Sequence, residues 1–136
     1  MEKGSKMKTA VRYYSRSGNT RAVAEAISKA VGAAAISVDS ASSEITDTID
    51  VLFIGGALYA YGIDTHLKSY LSKLNKNKVK KAVVFSTSWI SKHAIDILKK
   101  SLSEKGIQVE DKTFYVRNKP TDTQLKAAEE FAKNCL

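Results

Sequence analysis

Short apolar runs alternate with amphipathic segments along most of this chain. The apolar runs are rich in β-branched and aromatic residues, which is typical of strands buried on both faces. The segments between them repeat apolar residues at helical spacing, which indicates helices packed on one side. The pattern predicts strands at residues 9–14, 34–38, 51–54, 82–85 and 107–116, and helices at about 20–31, 91–105 and 121–134, with another helix carrying Ile63, Leu67, Leu71 and Leu74.

This alternation predicts one α/β domain over residues 7–136, with a parallel sheet covered by helices on both faces. The polar residues 1–6 are expected to form a disordered tail. Arg12 is unusual within the first strand, because a central parallel strand is normally apolar. We expect its head group to reach Asp39, Asp47 or Asp50, or to extend into solvent.

Charge and residue composition limit the classes of function that this chain could have. The net charge is +8, but only four of the 22 basic residues are arginines, and the densest basic run, residues 73–81, lacks stacking aromatics. We therefore interpret that run as a solvated loop, predict no nucleic-acid binding, and expect acidic partners or an anionic ligand. No apolar run approaches the roughly 20 residues of a membrane span. The single cysteine, Cys135, excludes an internal disulfide and fits a cytoplasmic protein; we expect it at a frayed helix end. No cluster has metal-ligand spacing.

Three loops should meet at one edge of the predicted sheet, because the carboxyl ends of parallel strands lie together. The first, residues 15–20, has three hydroxyls at the start of a helix and suits a phosphate. It has neither the Walker pattern nor G-x-G-x-x-G, which disfavours a triphosphatase and a dinucleotide. The loops after the third and fourth strands carry Tyr59, Tyr61 and Trp89, which suit a flat ring system.

The stretch Tyr13-Tyr14-Ser15-Arg16-Ser17-Gly18-Asn19-Thr20 resembles the FMN phosphate loop of flavodoxins, in which hydroxyl-x-hydroxyl-G-x-T follows an apolar strand. The resemblance extends over nearly the whole chain from Met7 and includes Gly55-Gly56 and the aromatic loop after them. It implies a flavodoxin-like three-layer sandwich, with a five-stranded parallel sheet in the order 2-1-3-4-5. Strand five shows no long insertion, so the chain resembles the short-chain members.

The resemblance also implies roles for individual residues. The phosphate of FMN would be held by the first loop: Ser15, Arg16, Ser17, Gly18, Asn19 and Thr20. The ring system would lie beside the second loop, with Tyr59 near one face: Ala57, Leu58, Tyr59, Ala60, Tyr61 and Gly62. Its pyrimidine edge and other face would be bordered by Thr87, Ser88 and Trp89. No catalytic acid or base is implied, because the flavin supplies the redox chemistry.

An electron carrier is the first hypothesis, working with a redox partner that has an acidic docking surface, since flavodoxins are usually acidic and this chain is basic. The alternative is a flavin oxidoreductase, such as a quinone or FMN reductase or a protoporphyrinogen-oxidising protein, with an open site beside Trp89 and His93. The flavodoxin-like activator of ribonucleotide reductase fits less well, because its glycine-rich loop is not matched at residues 57–61. A receiver domain would need acids after the first strand, where Tyr14-Ser15-Arg16 has none. His66 is expected to be a solvated helix residue.

Overall fold

Strands and helices alternate along the part of the chain that the computed structural model describes, residues 7–59, 62–88 and 91–136. The strands are β1 (Thr9–Tyr13), β2 (Ala35–Ser37), β3 (Ile49–Gly56), β4 (Val79–Thr87), β5 (Gln108–Val109) and β6 (Phe114–Val116). The helices are α1 (Asn19–Val31), α2 (Thr65–Lys73), α3 (His93–Glu104) and α4 (Asp122–Asn134), with a short 3-10 turn at Ala41–Ser43. The predicted tail, residues 1–6, lies outside the described residues.

All strand pairs of the sheet are parallel, in the order β2-β1-β3-β4-β5, with β6 also paired to β4. This confirms the predicted order 2-1-3-4-5. The chain places β2 on one side of β1 and β3 on the other, so the direction in which strands are added to the sheet reverses between β1 and β3. Ligands of open α/β sheets bind at this reversal, beyond the carboxyl ends of the strands.

The sheet separates two apolar layers, because successive side chains of a strand point to opposite faces. On one face, Leu52, Ile54 and Val84 pack with the buried sides of α2 and α3. On the other, Phe53 and Phe85 pack with those of α1 and α4. The three-layer sandwich predicted from the sequence is therefore confirmed.

Three strands differ clearly from their predicted extents. β4 runs from Val79 to Thr87, where 82–85 was predicted, because its first residues pair with the start of β3. β3 does not end at Ile54 but continues through Gly55 and Gly56, which pair with Phe85 and Ser86 of β4. The predicted fifth strand is divided into β5 and β6, which both lie on the free side of β4. The division falls at polar residues: Glu110 donates its N–H to the Ala82 carbonyl at 2.8 Å and pairs its carboxylate with Lys81 at 3.2 Å.

Arg12 corrects an expectation, since it reaches neither an acid nor the solvent. It is 7% exposed, and its Nε and Nη1 donate to the carbonyls of Ser43 at 2.7 Å and Val11 at 3.0 Å. The 3-10 turn that ends at Ser43 brings a backbone carbonyl within reach of Arg12 in β1. Backbone oxygens thus satisfy the buried guanidinium where acids were expected.

Cys135 is likewise not at a frayed end. It is 1% exposed and belongs to the apolar layer between the sheet and α4. Its carbonyl accepts a hydrogen bond from Lys81 Nζ at 2.9 Å, which ties the end of α4 to β4.

Candidate functional site

The three loops singled out in the sequence follow adjacent strand ends. Tyr13 of β1 is in register with Gly55 of β3, and Gly56 is in register with Ser86 of β4. The loops that continue from these positions are therefore neighbours at the carboxyl edge of the sheet. Ala60, Tyr61 and Trp89, three of the predicted site residues, lie outside the described residues.

The first loop, residues 15–20, forms a tight turn into α1. Its helix N-cap is Gly18, whose φ of +94° is a left-handed conformation that glycine adopts without steric cost. As a glycine, this N-cap residue has no side chain that could accept from the first N–H groups of the helix. Ser15 Oγ accepts from Gly18 N at 3.0 Å and Ser17 Oγ from Asn19 N at 3.4 Å. The turn thus gathers hydroxyls and backbone N–H groups at the positive end of a 13-residue helix.

Thr20 joins the first loop to the third. It is 1% exposed, and its Oγ1 lies 2.6 Å from Oγ1 of Thr87, the last residue of β4. Because Thr87 is also buried, this hydroxyl pair fixes the start of α1 against the centre of the sheet. The sequence predicted both residues for the site but not their contact with each other.

Arg16 extends from the first loop to the second. Its Nη2 and Nε lie 2.6 Å and 3.1 Å from Oδ2 of Asp64, and its guanidinium carbon lies 3.9 Å from the centre of the Tyr59 ring. This is an ion pair combined with a cation–π contact. Tyr59 is held in turn by two backbone hydrogen bonds with Gly62, of 2.7 Å and 3.0 Å. Burial raises the pKa of the Tyr59 phenol, against the opposing effect of the Arg16 charge.

Asp64 is a residue of the site that sequence analysis missed. Its side chain is 5% exposed and caps α2 by accepting from His66 N at 2.7 Å. The His66 ring also contacts Asp64 Oδ1 at 2.8 Å and stacks on Tyr14, with ring centres 4.8 Å apart. Burial raises the pKa of the Asp64 carboxyl, but the hydrogen bonds from His66 and Arg16 outweigh it and leave the pKa below its ordinary value. An aspartate before a helical run is an N-cap signal, so the cap was predictable, whereas the pair with Arg16 was not.

The third loop is attached to the edge of the sheet. Ser88 N donates to the Val116 carbonyl at 3.2 Å, and the Tyr115 hydroxyl donates to the Ser88 carbonyl. Ser86 Oγ is fully buried with no hydrogen-bond partner among the described residues. Lys92, which follows the loop, lies 5.6 Å over the Tyr115 ring. In the second loop, Ala57 and Leu58 are half-buried.

Two histidines also lie at this edge of the sheet, and each contacts an aspartate. His66 is half-exposed, as expected, but it is tied to Asp64, so the expectation of a merely solvated residue was incomplete. His93 is exposed at the start of α3, with Nδ1 3.7 Å from Asp96.

Across the described ranges, no group of three or more His, Cys, Asp or Glu residues could hold a metal. The described helices also include none long and apolar enough to cross a membrane.

The sequence matches the model of a known protein family, the flavodoxin domain, over residues 10–129, which is most of the chain. The chain belongs to the flavodoxin domain family. It is therefore a flavodoxin-like protein that binds a flavin and takes part in electron transfer. A comparison with curated protein sequences finds no match.

Solved flavodoxin structures share the fold. A flavodoxin from the domain Archaea has a TM-score of 0.81 at 23% identity, covering 94% of this chain and 95% of that one. Flavodoxin 1 of Bacillus cereus has a TM-score of 0.75 at 21% identity, covering 92% and 95%. Rubredoxin oxygen:oxidoreductase of Desulfovibrio gigas has a TM-score of 0.80 at 18% identity, but this chain spans only 34% of it while 93% of this chain is covered.

The described residues fit a flavin that carries a phosphate. The start of α1 carries N–H groups and hydroxyls that suit an anion, and Gly18 supplies the conformation that a close approach needs. Tyr59 offers an aromatic surface in the neighbouring loop, 3.9 Å from a guanidinium that fixes it. The donor set and the aromatic surface are thus adjacent, as a ligand with both parts requires.

Proposed function

We propose that this protein binds FMN at the carboxyl edge of its sheet and carries electrons between partner proteins. The observation that supports it best is the first loop, a hydroxyl-rich turn at the start of α1 in a chain of the flavodoxin domain family. FMN differs from riboflavin by the phosphate that such a turn would recognise. An aromatic side chain stands in the next loop, where a flat ring would gain contact area.

The residues divide into two groups in this proposal. The phosphate is held by hydroxyl, amide and N–H groups of the first loop: Ser15, Arg16, Ser17, Gly18, Asn19 and Thr20. The ring system lies against the second loop and the end of β4: Ala57, Leu58, Tyr59, Ala60, Tyr61, Gly62, Thr87, Ser88 and Trp89. When bound, FMN supplies the electron transfer. The chain's residues orient it and exclude water.

The partner in this proposal has an acidic docking surface. Cations follow several strand ends at the site edge, among them Arg21 in α1, Lys92 before α3, and Arg117 and Lys119 after β6, and all four are exposed. Together with the net charge of +8, they would attract an acidic protein and speed its encounter. We also propose a cytoplasmic location, because the single Cys135 can form no internal disulfide.

The test is an FMN titration of the full chain, in which binding is monitored by the quenching of flavin fluorescence and by the absorption spectrum. We expect binding at micromolar concentration or tighter. Riboflavin, which lacks the phosphate, is titrated in parallel, so that the contribution of the phosphate to affinity is distinguished from that of the ring system. A protein that binds neither flavin would overturn the proposal.

Ser17→Ala tests the phosphate assignment, since it removes one hydroxyl from an exposed position of the loop. A hydrogen bond to a charged group contributes about 1.5–3 kcal/mol, so FMN should bind about tenfold or more weakly. Riboflavin affinity should change little. Ser103→Ala, at an exposed position of α3, is the matched control and should alter neither affinity. Equal losses for FMN and riboflavin would refute the assignment.

A flavin oxidoreductase is the second candidate, favoured by the likeness to rubredoxin oxygen:oxidoreductase, in which this fold forms about a third of the chain. An enzyme would turn over a quinone or free FMN with NAD(P)H at a rate that saturates with substrate. A carrier would show slow turnover alone and rapid electron exchange with an acidic redox protein. His93→Ala should lower quinone turnover in the enzyme and leave exchange unchanged in the carrier.

A further inference from the structure

A cavity of about 630 Å³ lies between α2 and the connection from β2 to β3. Helix α2 forms one wall with residues from His66 to Lys73, and residues 43–46 form another. At about 1.5 Å per residue, that stretch of helix spans about 10 Å. Among the described residues that line the cavity, none belongs to the set proposed for FMN. The cavity is therefore separate from the flavin site, and its volume is in the range of small-molecule sites.

The buried part of the lining is mainly apolar. Val38, Leu74 and Val79 are buried there and belong to the apolar layer under α2. Ile45 is half-buried and packs against the same layer. An apolar molecule placed in the cavity would leave water and gain contacts with the core of the protein.

A buried cation lies beside this cavity. The Ser43 carbonyl, in one wall, accepts from Arg12 Nε at 2.7 Å and from the Tyr70 hydroxyl at 2.5 Å. Arg12 is 7% exposed and bonds only to backbone carbonyls, with no ion pair to an acid of the described ranges. Burial raises the pKa of the Tyr70 phenol, and the Arg12 charge opposes that rise. Since buried charges are normally paired, the guanidinium leaves a positive charge beside the cavity that no carboxylate balances.

The charged side chains of the lining are also basic on balance. Lys73 and Lys78 line the cavity, against a single carboxylate among the described lining residues, that of Glu44. Lys73 and Glu44 are exposed, while Lys78 is half-buried and its Nζ donates to the Thr46 carbonyl. Two ammonium groups in the lining and a guanidinium beside it favour a ligand with negative charge.

We propose that this cavity binds a small organic anion with an apolar body, in the class of medium-chain carboxylates. The apolar body lies against Val38, Leu74 and Val79, and the carboxylate is held near Lys73 and Lys78. The site gives the protein a second ligand besides the flavin. The inference does not depend on the binding of FMN.

Octanoate is the probe, and octylammonium is the matched ligand with the same chain and the opposite charge. Backbone amide NMR signals of the full chain are followed during each titration, once with excess FMN and once without flavin. Octanoate should shift the signals of residues 43–46 and 66–79, with half-saturation at about 1 mM or below, which is ordinary for a ligand of about ten non-hydrogen atoms. Octylammonium should bind at least about fivefold more weakly, because it meets charges of its own sign.

Lys73→Gln/Lys78→Gln tests the charge of the lining, since it removes two ammonium groups and nearly keeps the length of both side chains. Octanoate affinity should fall about fivefold, and octylammonium affinity should not fall. Lys68→Gln/Lys76→Gln is the matched control. It removes two charges from α2 and the turn after it, at exposed positions outside the lining, and should leave octanoate affinity nearly unchanged.

Ser69→Trp tests the volume of the cavity. Ser69 lines it at an exposed position of α2, so an indole there should fill part of the space and abolish octanoate binding. Ser72→Trp places the same side chain at an exposed position of α2 outside the lining and should keep the binding.

Three results would overturn the inference. The first is that octanoate leaves the amide signals of the cavity unchanged or shifts only those of residues 15–20. The second is that octylammonium binds as tightly as octanoate. The third is that octanoate affinity is unchanged in Ser69→Trp and in the Lys73→Gln/Lys78→Gln variant. A protein that binds octanoate but no flavin would instead support this site and overturn the proposed function.

Discussion

Gly55 lies in β3 beside Phe85 of β4, near the carboxyl edge of the sheet. It is in register with Tyr13 on one side and Phe85 on the other. A Cβ atom at this position would lie 2.4 Å from two ring atoms of Phe85 and 2.5 Å from the Phe85 carbonyl oxygen. Gly55→Ala therefore inserts a methyl group into space that is already occupied.

The expected cost follows from these distances. Carbon atoms in contact normally lie about 3.5–4.0 Å apart, so the new methyl group is more than about 1 Å too close. The Phe85 ring is fully buried, and its carbonyl belongs to the strand, so neither can move freely. Overpacking costs typically about 1–3 kcal/mol, and we expect the upper end, about 3 kcal/mol. That is a large part of the roughly 5–15 kcal/mol that stabilises a domain.

Gly56→Ala is the matched control in the next residue. Its Cβ would meet Leu67 Cδ2 at 2.4 Å, which is the end of a side chain, whereas Gly55→Ala also meets a backbone carbonyl that cannot turn away. We expect about 1 kcal/mol for this variant.

Urea denaturation without added flavin measures the difference. With an m-value of about 2 kcal/mol/M, the midpoint should fall by about 1.5 M for Gly55→Ala and about 0.5 M for Gly56→Ala. Equal midpoints, or the reverse order, would refute the packing argument. A smaller side chain in Gly55→Ala/Phe85→Leu should recover part of the loss, because it removes the ring that the methyl group meets.

Two further predictions concern titratable groups. The lowered pKa of Asp64 contributes stability that is present above the ordinary value of 3.8 and is lost as pH falls through the lowered pKa. The stability difference between native protein and Asp64→Asn should thus shrink below about pH 4; a constant difference in urea midpoints would contradict this. Burial, with the Glu110 charge, raises the pKa of the Cys135 thiol, so it should react slowly with a thiol reagent at pH 8 and rapidly in denaturant. Rapid reaction of the folded protein would contradict its burial.

Much of the fold could be predicted because it depends on local patterns. Apolar runs and helical spacing indicated the parallel sheet and its helices, and the resemblance to flavodoxins added the strand order. The extent of β3 was wrong because Gly55 and Gly56 read locally as a stop, whereas Phe85 and Leu67 pack in the space they leave. The division of strand five was missed because it depends on the contact of Glu110 with Lys81, from a neighbouring strand.

The site was predictable to a different degree at each loop. The first loop carries its chemistry in consecutive residues, so its hydroxyls and Gly18 were identified directly. Arg16 and Asp64 are 48 residues apart, and no local pattern links them. Arg12 was expected to reach an acid or the solvent, but the turn at Ser43, 31 residues away, supplies the carbonyl that it contacts.

The sequence by itself determined the class of the fold, the edge of the sheet at which a ligand is proposed to bind, and the residues of the first loop. These depend on periodicity and on short contiguous motifs, whose physics is local. Only the tertiary structure decided that Thr20 meets Thr87, that Asp64 anchors Arg16, and that Arg16 covers Tyr59. Those contacts depend on how three strand ends converge, because a side chain's partner is selected by distance in the folded chain and not by its position along it.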